Sequence, residues 1–122
     1  MHFTIPGELT DLNAYIKALN SCRWSGNSIK HSETDRVAFA AKVARIGKVE
    51  KYPVRIIYCW YCKDNRKDTD NVAFAKKFIN DGLVTAGVLQ NDSRKFVAGF
   101  VDQFYIDKSN PRVEVYIEQL PE

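Results

Sequence analysis

The sequence predicts an α+β domain in which helices pack against a small mixed β-sheet with an antiparallel hairpin at its C-terminal end. Two observations predict this class. Runs of β-branched and aromatic residues, typical of strands, occur near both ends and in the middle of the chain, and segments with apolar residues three and four positions apart, typical of helices, separate them. The length of 122 residues fits one domain over 1–122, and a content of 45% hydrophobic and 27% charged residues excludes a disordered or collagen-like chain.

The first half of the chain is expected to contain one strand and two helices. A Pro-Gly pair ends the strand, and a polar segment with a glycine separates the helices. In chain order, the expected elements are a strand over His2–Pro6, a helix capped by Thr10 and running to Ala18 or Leu19, a turn over 23–28, and a helix from about Ser28 or Ser32 to Ile46, stopped by Gly47.

The second half is expected to contain a strand, a helix and two further strands. The segment 95–107 is apolar on both alternating faces, which predicts an inner or well-covered strand. The segment 112–118 alternates polar with apolar residues and is expected to pair with it as the hairpin. The expected elements are a strand over Val54–Cys62, a helix capped by Asp70 or Asn71 and running to Ala86, and strands over 95–107 and 112–118.

The cysteine content and the N-terminus indicate a reducing compartment. Cys59 and Cys62 form a CxxC pair, but positions three apart on a strand face opposite sides, so their sulfurs are expected to diverge. The odd count of three cysteines does not favour a disulfide framework. No secretory signal and no run of eighteen apolar residues is visible, so we expect a cytoplasmic protein without a membrane partner.

Three aspartates are the candidate metal ligands. Asp68 and Asp70 are two positions apart after a strand, and in an extended backbone both carboxylates project to one side. Mg²⁺ prefers such hard oxygen ligands, and Asp92 could supply a third carboxylate. The alternative is that Asp68 and Asp70 form a solvated turn and a helix N-cap, with Asp92 in a polar turn.

The motif D-x-D-N at 68–71 is followed by a lysine-bearing helix, by D-G-L-V-T-A-G-V-L-Q-N-D at 81–92 and by a closing strand at 112–117. Together these segments resemble the RusA-type Holliday junction resolvases, in particular a phage branch of that family. The resemblance implies a RusA-like fold, a homodimer, and Mg²⁺ (or Mn²⁺ in its place) held by Asp68, Asp70 and Asp92. It also implies a catalytic lysine, which is Lys77 when the stretch is aligned backwards from Asp81, with Lys76 as the alternative.

Two features depart from the family pattern or complicate it. Asn91 stands where an acidic residue often precedes the last aspartate, which predicts weaker metal affinity. A helix over 71–86 would be about 24 Å long, whereas the six residues after it can return at most about 20 Å. Asp92 therefore reaches Asp70 only if the helix is broken near Gly82 or starts later, or if a second subunit completes each site.

The remaining polar residues are given weaker roles. Asp102 interrupts an apolar strand, so we expect it either to reach the metal cluster or to meet a basic partner. His2 and His31 are expected to be bystanders in catalysis. Trp24 or Trp60 is expected to stack on an unpaired base or, alternatively, to be a core aromatic.

A formal net charge of +3 permits a nucleic-acid partner without requiring one. The residues expected to contact the DNA backbone are Arg23, Lys30, Arg66, Lys67 and Lys76. The predicted function is a metal-dependent endodeoxyribonuclease that nicks four-way junctions or other branched DNA in pairs, without a small-molecule cofactor. The alternative is a non-catalytic branched-DNA-binding module of the same fold.

Overall fold

A computed structural model describes residues 1–121, so Glu122, the last residue of the predicted domain, lies outside the described part. These residues fold into four strands and four helices, and the predicted α+β class with a small mixed sheet is confirmed. In chain order the elements are β1 (His2–Pro6), α1 (Leu12–Ser21), α2 (Arg23–Ala44), β2 (Val54–Cys62), α3 (Thr69–Ala73), α4 (Lys76–Thr85), β3 (Val97–Ile106) and β4 (Arg112–Gln119).

The sheet has the order β1-β4-β2-β3. Strand β4 is antiparallel to both of its neighbours, and β3 is parallel to β2. The predicted C-terminal hairpin is therefore wrong, because β2 lies between β3 and β4. The strand that alternates polar with apolar residues, β4, occupies an inner position, where its apolar side chains Val113, Val115 and Ile117 are buried.

Strand β3 lies at the edge of the sheet, which corrects the prediction of an inner strand. Its apolar residues on both faces do not indicate burial, since Phe100, Phe104 and Ile106 are exposed. They share the face of the helix-covered residues on β2, with Phe100 opposite Ile56 and Phe104 opposite Trp60. The helical layer leaves these side chains of the edge strand exposed.

Two helix boundaries differ from the sequence predictions for identifiable reasons. Helix α1 is capped by Asp11 rather than Thr10, and its carboxylate accepts a hydrogen bond of 2.8 Å from the N–H of Ala14. Helix α2 begins at Arg23, so the predicted turn over 23–28 is wrong. Gly26 lies inside this helix at its contact with α1, where a Cβ would clash with the side chain of Leu19, so the glycine lets α1 and α2 approach closely.

The helix predicted after Asp70 is two helices. Helix α3 ends at Ala73, α4 begins at Lys76, and the break falls at Phe74 and Ala75 rather than near Gly82. Gly82 lies within α4 at its contact with α2, where a Cβ would lie 2.6 Å from the side chain of Val37. It therefore permits close helix packing and does not interrupt the helix.

The core lies between the helices and one face of the sheet. Buried strand residues of that face include Phe3, Ile5, Ile56, Tyr58, Trp60, Val113 and Val115. The three cysteines are free, and Cys59 and Cys62 lie on opposite faces of β2, as their spacing predicts. Among residues 1–121, no helix is long and apolar enough to cross a membrane.

Candidate functional site

Asp68 and Asp70 lie at the start of α3, the short helix that follows the polar loop after β2. Asp68 occupies the N-cap position, but its side chain makes no capping hydrogen bond. The carboxylate of Asp70 accepts a hydrogen bond of 3.0 Å from the N–H of Asn71 and is exposed. The alternative of Asp70 as the cap is wrong, and both carboxylates keep oxygens available to a ligand.

Asn71 shows why an asparagine follows these aspartates. Its side chain is buried, and its Oδ1 accepts a hydrogen bond of 2.9 Å from the N–H of Asn13 in the first turn of α1. A carboxamide at this position satisfies an amide that the helix start leaves unpaired. Asn71 thus fixes the start of α3 against α1 and acts on the position of Asp70 rather than on a ligand.

Asp92 lies beyond α4, beside Lys77. The Lys77 ammonium is 3.1 Å from Asp81 and 3.8 Å from Asp92. The hydrogen bond that Lys77 donates to the Asp81 carboxylate raises the pKa of Lys77, partial burial opposes this, and the charges of Asp81 and Asp92 raise it further. Lys77 is therefore a protonated cation at neutral pH and is unsuited to act as a general base.

Asp102 meets a basic partner, which is one of the two outcomes expected for it. The Lys76 ammonium lies 2.6 Å from one carboxylate oxygen of Asp102, and the indole N–H of Trp60 donates a hydrogen bond of 2.8 Å to the other. The ammonium also lies 3.9 Å from the centre of the Phe100 ring. Lys76 thus ties α4 to the edge strand β3 through an ion pair and a cation–π contact.

Asp70, Lys76 and Asp102 line one open cleft of about 400 Å³. The first turn of α3, the first residue of α4 and the middle of β3 supply them. Phe74 and Phe104 form apolar parts of the same wall. Asp70 and Asp102, separated by thirty-two positions, therefore border a common solvent-filled space.

Tyr58 lies beside Lys76, whose ammonium is 5.6 Å from the centre of the Tyr58 ring, and no pattern in the sequence indicates a role for it beyond the core. Its hydroxyl donates a hydrogen bond to Oδ1 of Asn80. Burial strongly raises the pKa of Tyr58, the Asn80 hydrogen bond opposes this, and the negative charges of Asp102 and Asp92 raise it further. The charges of Asp102 and Asp92 therefore both act to keep this phenol protonated.

The three predicted metal ligands do not form a preassembled cluster. Within the described residues, no group of three His, Cys, Asp or Glu side chains is placed to hold an ion. The donor chemistry of Asp68 and Asp70 still suits a hard cation, because their oxygens are largely unpaired. Asp92 differs, since Lys77 already neutralises part of its charge.

The basic residues predicted to contact DNA fall into two groups. Lys67 and Lys76 are engaged within the fold, Lys67 with Asp11 at 2.9 Å and Glu8 at 3.3 Å. Arg23, Lys30 and Arg66 are exposed, and Asp64 lies 3.8 Å from Arg66. The exposed group is available to a polyanion, whereas the acidic partners largely offset the charge of Lys67 and Lys76.

The two tryptophans have opposite environments. Trp60 is 2% exposed and donates a hydrogen bond to Asp102, so of the two roles expected for a tryptophan it has that of a core aromatic. Trp24 is 80% exposed at the start of α2 and is sterically free to stack.

No protein-family model and no curated protein matches this chain, so the resemblance to junction resolvases depends on the motif residues alone.

Proposed function

We propose that the protein is a metal-dependent, structure-selective endodeoxyribonuclease that resolves Holliday junctions and other branched DNA by paired nicking during recombination and repair. One observation carries the proposal. Asp70 and Asp102 line one open cleft with Lys76, and Asp92 lies 3.8 Å from the ammonium of Lys77, the next residue of α4. Carboxylate oxygens beside ammonium groups supply what phosphodiester hydrolysis needs, namely cation ligands and charge stabilisation.

Separate residues carry separate parts of the reaction. Asp68, Asp70 and Asp92 would hold Mg²⁺ or Mn²⁺, whose chemistry is to lower the pKa of a bound water and to neutralise charge on a phosphate. Lys77 stays protonated beside Asp81 and Asp92 and stabilises negative charge that develops on the phosphate. Asn71 holds the backbone that presents Asp70.

A homodimer is part of the proposal. A four-way junction has two symmetric strands to cut, and two copies related by a twofold axis present two equivalent sites to them. The separation of Asp68, Asp70 and Asp92 within one chain supports either completion of each site by a second copy or movement of their side chains on metal binding.

A non-catalytic branched-DNA-binding module of the same fold is the second candidate. Asn91 in place of an acid and the absence of a three-carboxylate cluster in the described part of the chain favour it. The two candidates differ in their need for metal: the nuclease turns over only with Mg²⁺ or Mn²⁺, whereas the binding module holds branched DNA equally well in EDTA.

The test is cleavage of a synthetic four-way junction and of a linear duplex of matched sequence, with Mg²⁺, Mn²⁺ or EDTA. Wild type is compared with Asp70→Asn and with Asp35→Asn, which removes one exposed carboxylate from α2 as a charge-matched control. We expect paired nicks in the junction alone, which disappear in EDTA and in Asp70→Asn and persist in Asp35→Asn. Junction binding without cleavage in either metal would exclude the nuclease and leave the binding module.

A further inference from the structure

An open cavity of about 460 Å³ lies between α2 and α4, on a surface that no predicted site residue other than Lys30 reaches. Asn27, Lys30, His31 and Thr34 of α2 line it, with Asp81 of α4. The four α2 residues follow the spacing i, i+3, i+4, i+7, so they form one face of the helix. The cavity is therefore built from a continuous helical stripe rather than from a loop.

Helices α2 and α4 pack closely beside this cavity, and Thr34 takes part in both the contact and the cavity lining. Helices α2 and α4 approach so closely at Gly82 that a Cβ there would lie 2.6 Å from Val37 and 3.0 Å from the carbonyl oxygen of Thr34. The hydroxyl oxygen of Thr34 is buried at this level and has no hydrogen-bond partner within residues 1–121. A buried hydroxyl without a partner is costly, and this cost shows how closely the two helices are packed beside the cavity.

The cavity favours an anion. The side chains of Asn27, Lys30 and His31 supply N–H donors, and in the described part of the chain none of them makes an ion pair. The only acid in the lining, Asp81, lies 3.1 Å from the Lys77 ammonium, which offsets part of its negative charge. The lining therefore combines uncommitted donors with the positive charge of Lys30.

We propose that this cavity is a phosphate subsite, in which Lys30, His31 and Asn27 bind one backbone phosphate of the DNA strand that passes the candidate cleavage site. The inference deepens the proposed function and rests on it for the identity of the ligand. Lys77 joins the two places, because its ammonium contacts Asp81 at the cavity and Asp92 at the candidate site. Arg23, one helical turn before Asn27, extends the same basic stripe.

The chain has two histidines, which allows the subsite to be tested without DNA. His2 stacks on Tyr116 at 5.2 Å on the sheet and serves as an internal control for His31. We expect inorganic pyrophosphate, titrated at constant ionic strength, to move the ring resonances of His31 in NMR spectra and to leave those of His2 in place. Lys30→Ala should weaken this binding roughly tenfold, and Lys30→Arg should restore it. Equal shifts of both histidines, or no shift of His31, would overturn the subsite.

A second measurement assigns the subsite to DNA. Junction binding is measured in EDTA across a salt series for wild type, Lys30→Ala, His31→Ala and Lys108→Ala, an exposed control in the β3–β4 turn. We expect Lys30→Ala to lower the slope of log affinity against log salt by about 0.9, the value for one phosphate, and Lys108→Ala to leave it unchanged. If wild type binds no junction, the proposed function fails while the pyrophosphate titration still decides the subsite; an unchanged slope in Lys30→Ala would exclude a backbone phosphate as its ligand.

Discussion

Lys76 and Lys77 are neighbours in the sequence, yet they belong to two different regions of the molecule. The side chain of Lys76 is 20% exposed and lies against Asp102 and the Phe100 ring. The side chain of Lys77 is 58% exposed and contacts Asp81 and Asp92 at the surface. Consecutive residues of a helix project about 100° apart, so the first lysine faces the edge strand and the second faces solvent.

The difference indicates which lysine is available for chemistry. An ammonium that already holds an ion pair of 2.6 Å and lies over an aromatic ring would lose both contacts on moving to a phosphate. An exposed i,i+4 pair such as Lys77–Asp81 contributes only about 0.3–0.5 kcal/mol, so Lys77 is easily released. We therefore assign the structural role to Lys76 and the catalytic role to Lys77 within the proposed function.

The largest expected effect separates the two lysines by activity. Lys77→Ala should reduce junction cleavage by about 10²–10³-fold, the usual loss when one charge-stabilising group is removed, with little change in stability. Lys76→Ala is the matched control and should retain most of its cleavage at a temperature where it is folded. Both are measured as single-turnover rates beside urea unfolding curves. The reverse pattern, cleavage lost in Lys76→Ala and kept in Lys77→Ala, would reverse the assignment.

The next effect concerns the stability of the region around Asp102. Asp102→Ala leaves the buried indole N–H of Trp60 without its acceptor and Lys76 without its counterion. We expect a loss of about 2–3 kcal/mol in the free energy of unfolding, measured in urea. Asp81→Ala is the control from the other region and should change it by less than about 0.5 kcal/mol, because its partner is exposed. Equal losses in both variants would remove the distinction between the two regions.

The sequence predicts where strands and helices lie along the chain better than it predicts which of them are adjacent in the fold. The predicted bounds of β2 agree with the structure, because its run of β-branched and aromatic residues begins after a proline and ends at a polar loop. The order of the sheet did not follow, because both β3 and β4 carry strand patterns and only tertiary packing decides which lies inside. Gly26 was misread for the same reason: a glycine that admits Leu19 of another helix has the same appearance as a glycine in a turn.

The candidate site shows the same limit. Motif spacing identified Asp70 and Asp92 as residues of interest, and the apolar surroundings of Asp102 indicated that it needs a partner. The identity of that partner depends on where α4 lies against β3, which the spacing does not determine. Tyr58 was missed entirely, because an aromatic residue on an inner strand is ordinary core until the acids around it are known.

The smallest effect tests whether the Tyr58 phenol is excluded from water in the folded protein. Burial raises the pKa of this phenol in the folded protein, and the charges of Asp102 and Asp92 add to the increase. The unfolded chain therefore loses the proton first, near pH 10, and the stabilisation is lost as the pH rises above that value. At pH 11 the loss of stability from one tyrosine is about 1.4 kcal/mol, and Tyr58→Phe has no such loss.

The Tyr58→Phe variant should be less stable than wild type by about 1 kcal/mol at pH 8, because the hydrogen bond to Asn80 is gone, and its stability should equal or exceed that of wild type near pH 11. Urea unfolding of both proteins across this range measures the difference. A difference that stays constant from pH 8 to pH 11 would mean that water reaches the phenol, so that Asp92 and Asp102 are screened from each other and do not belong to one site.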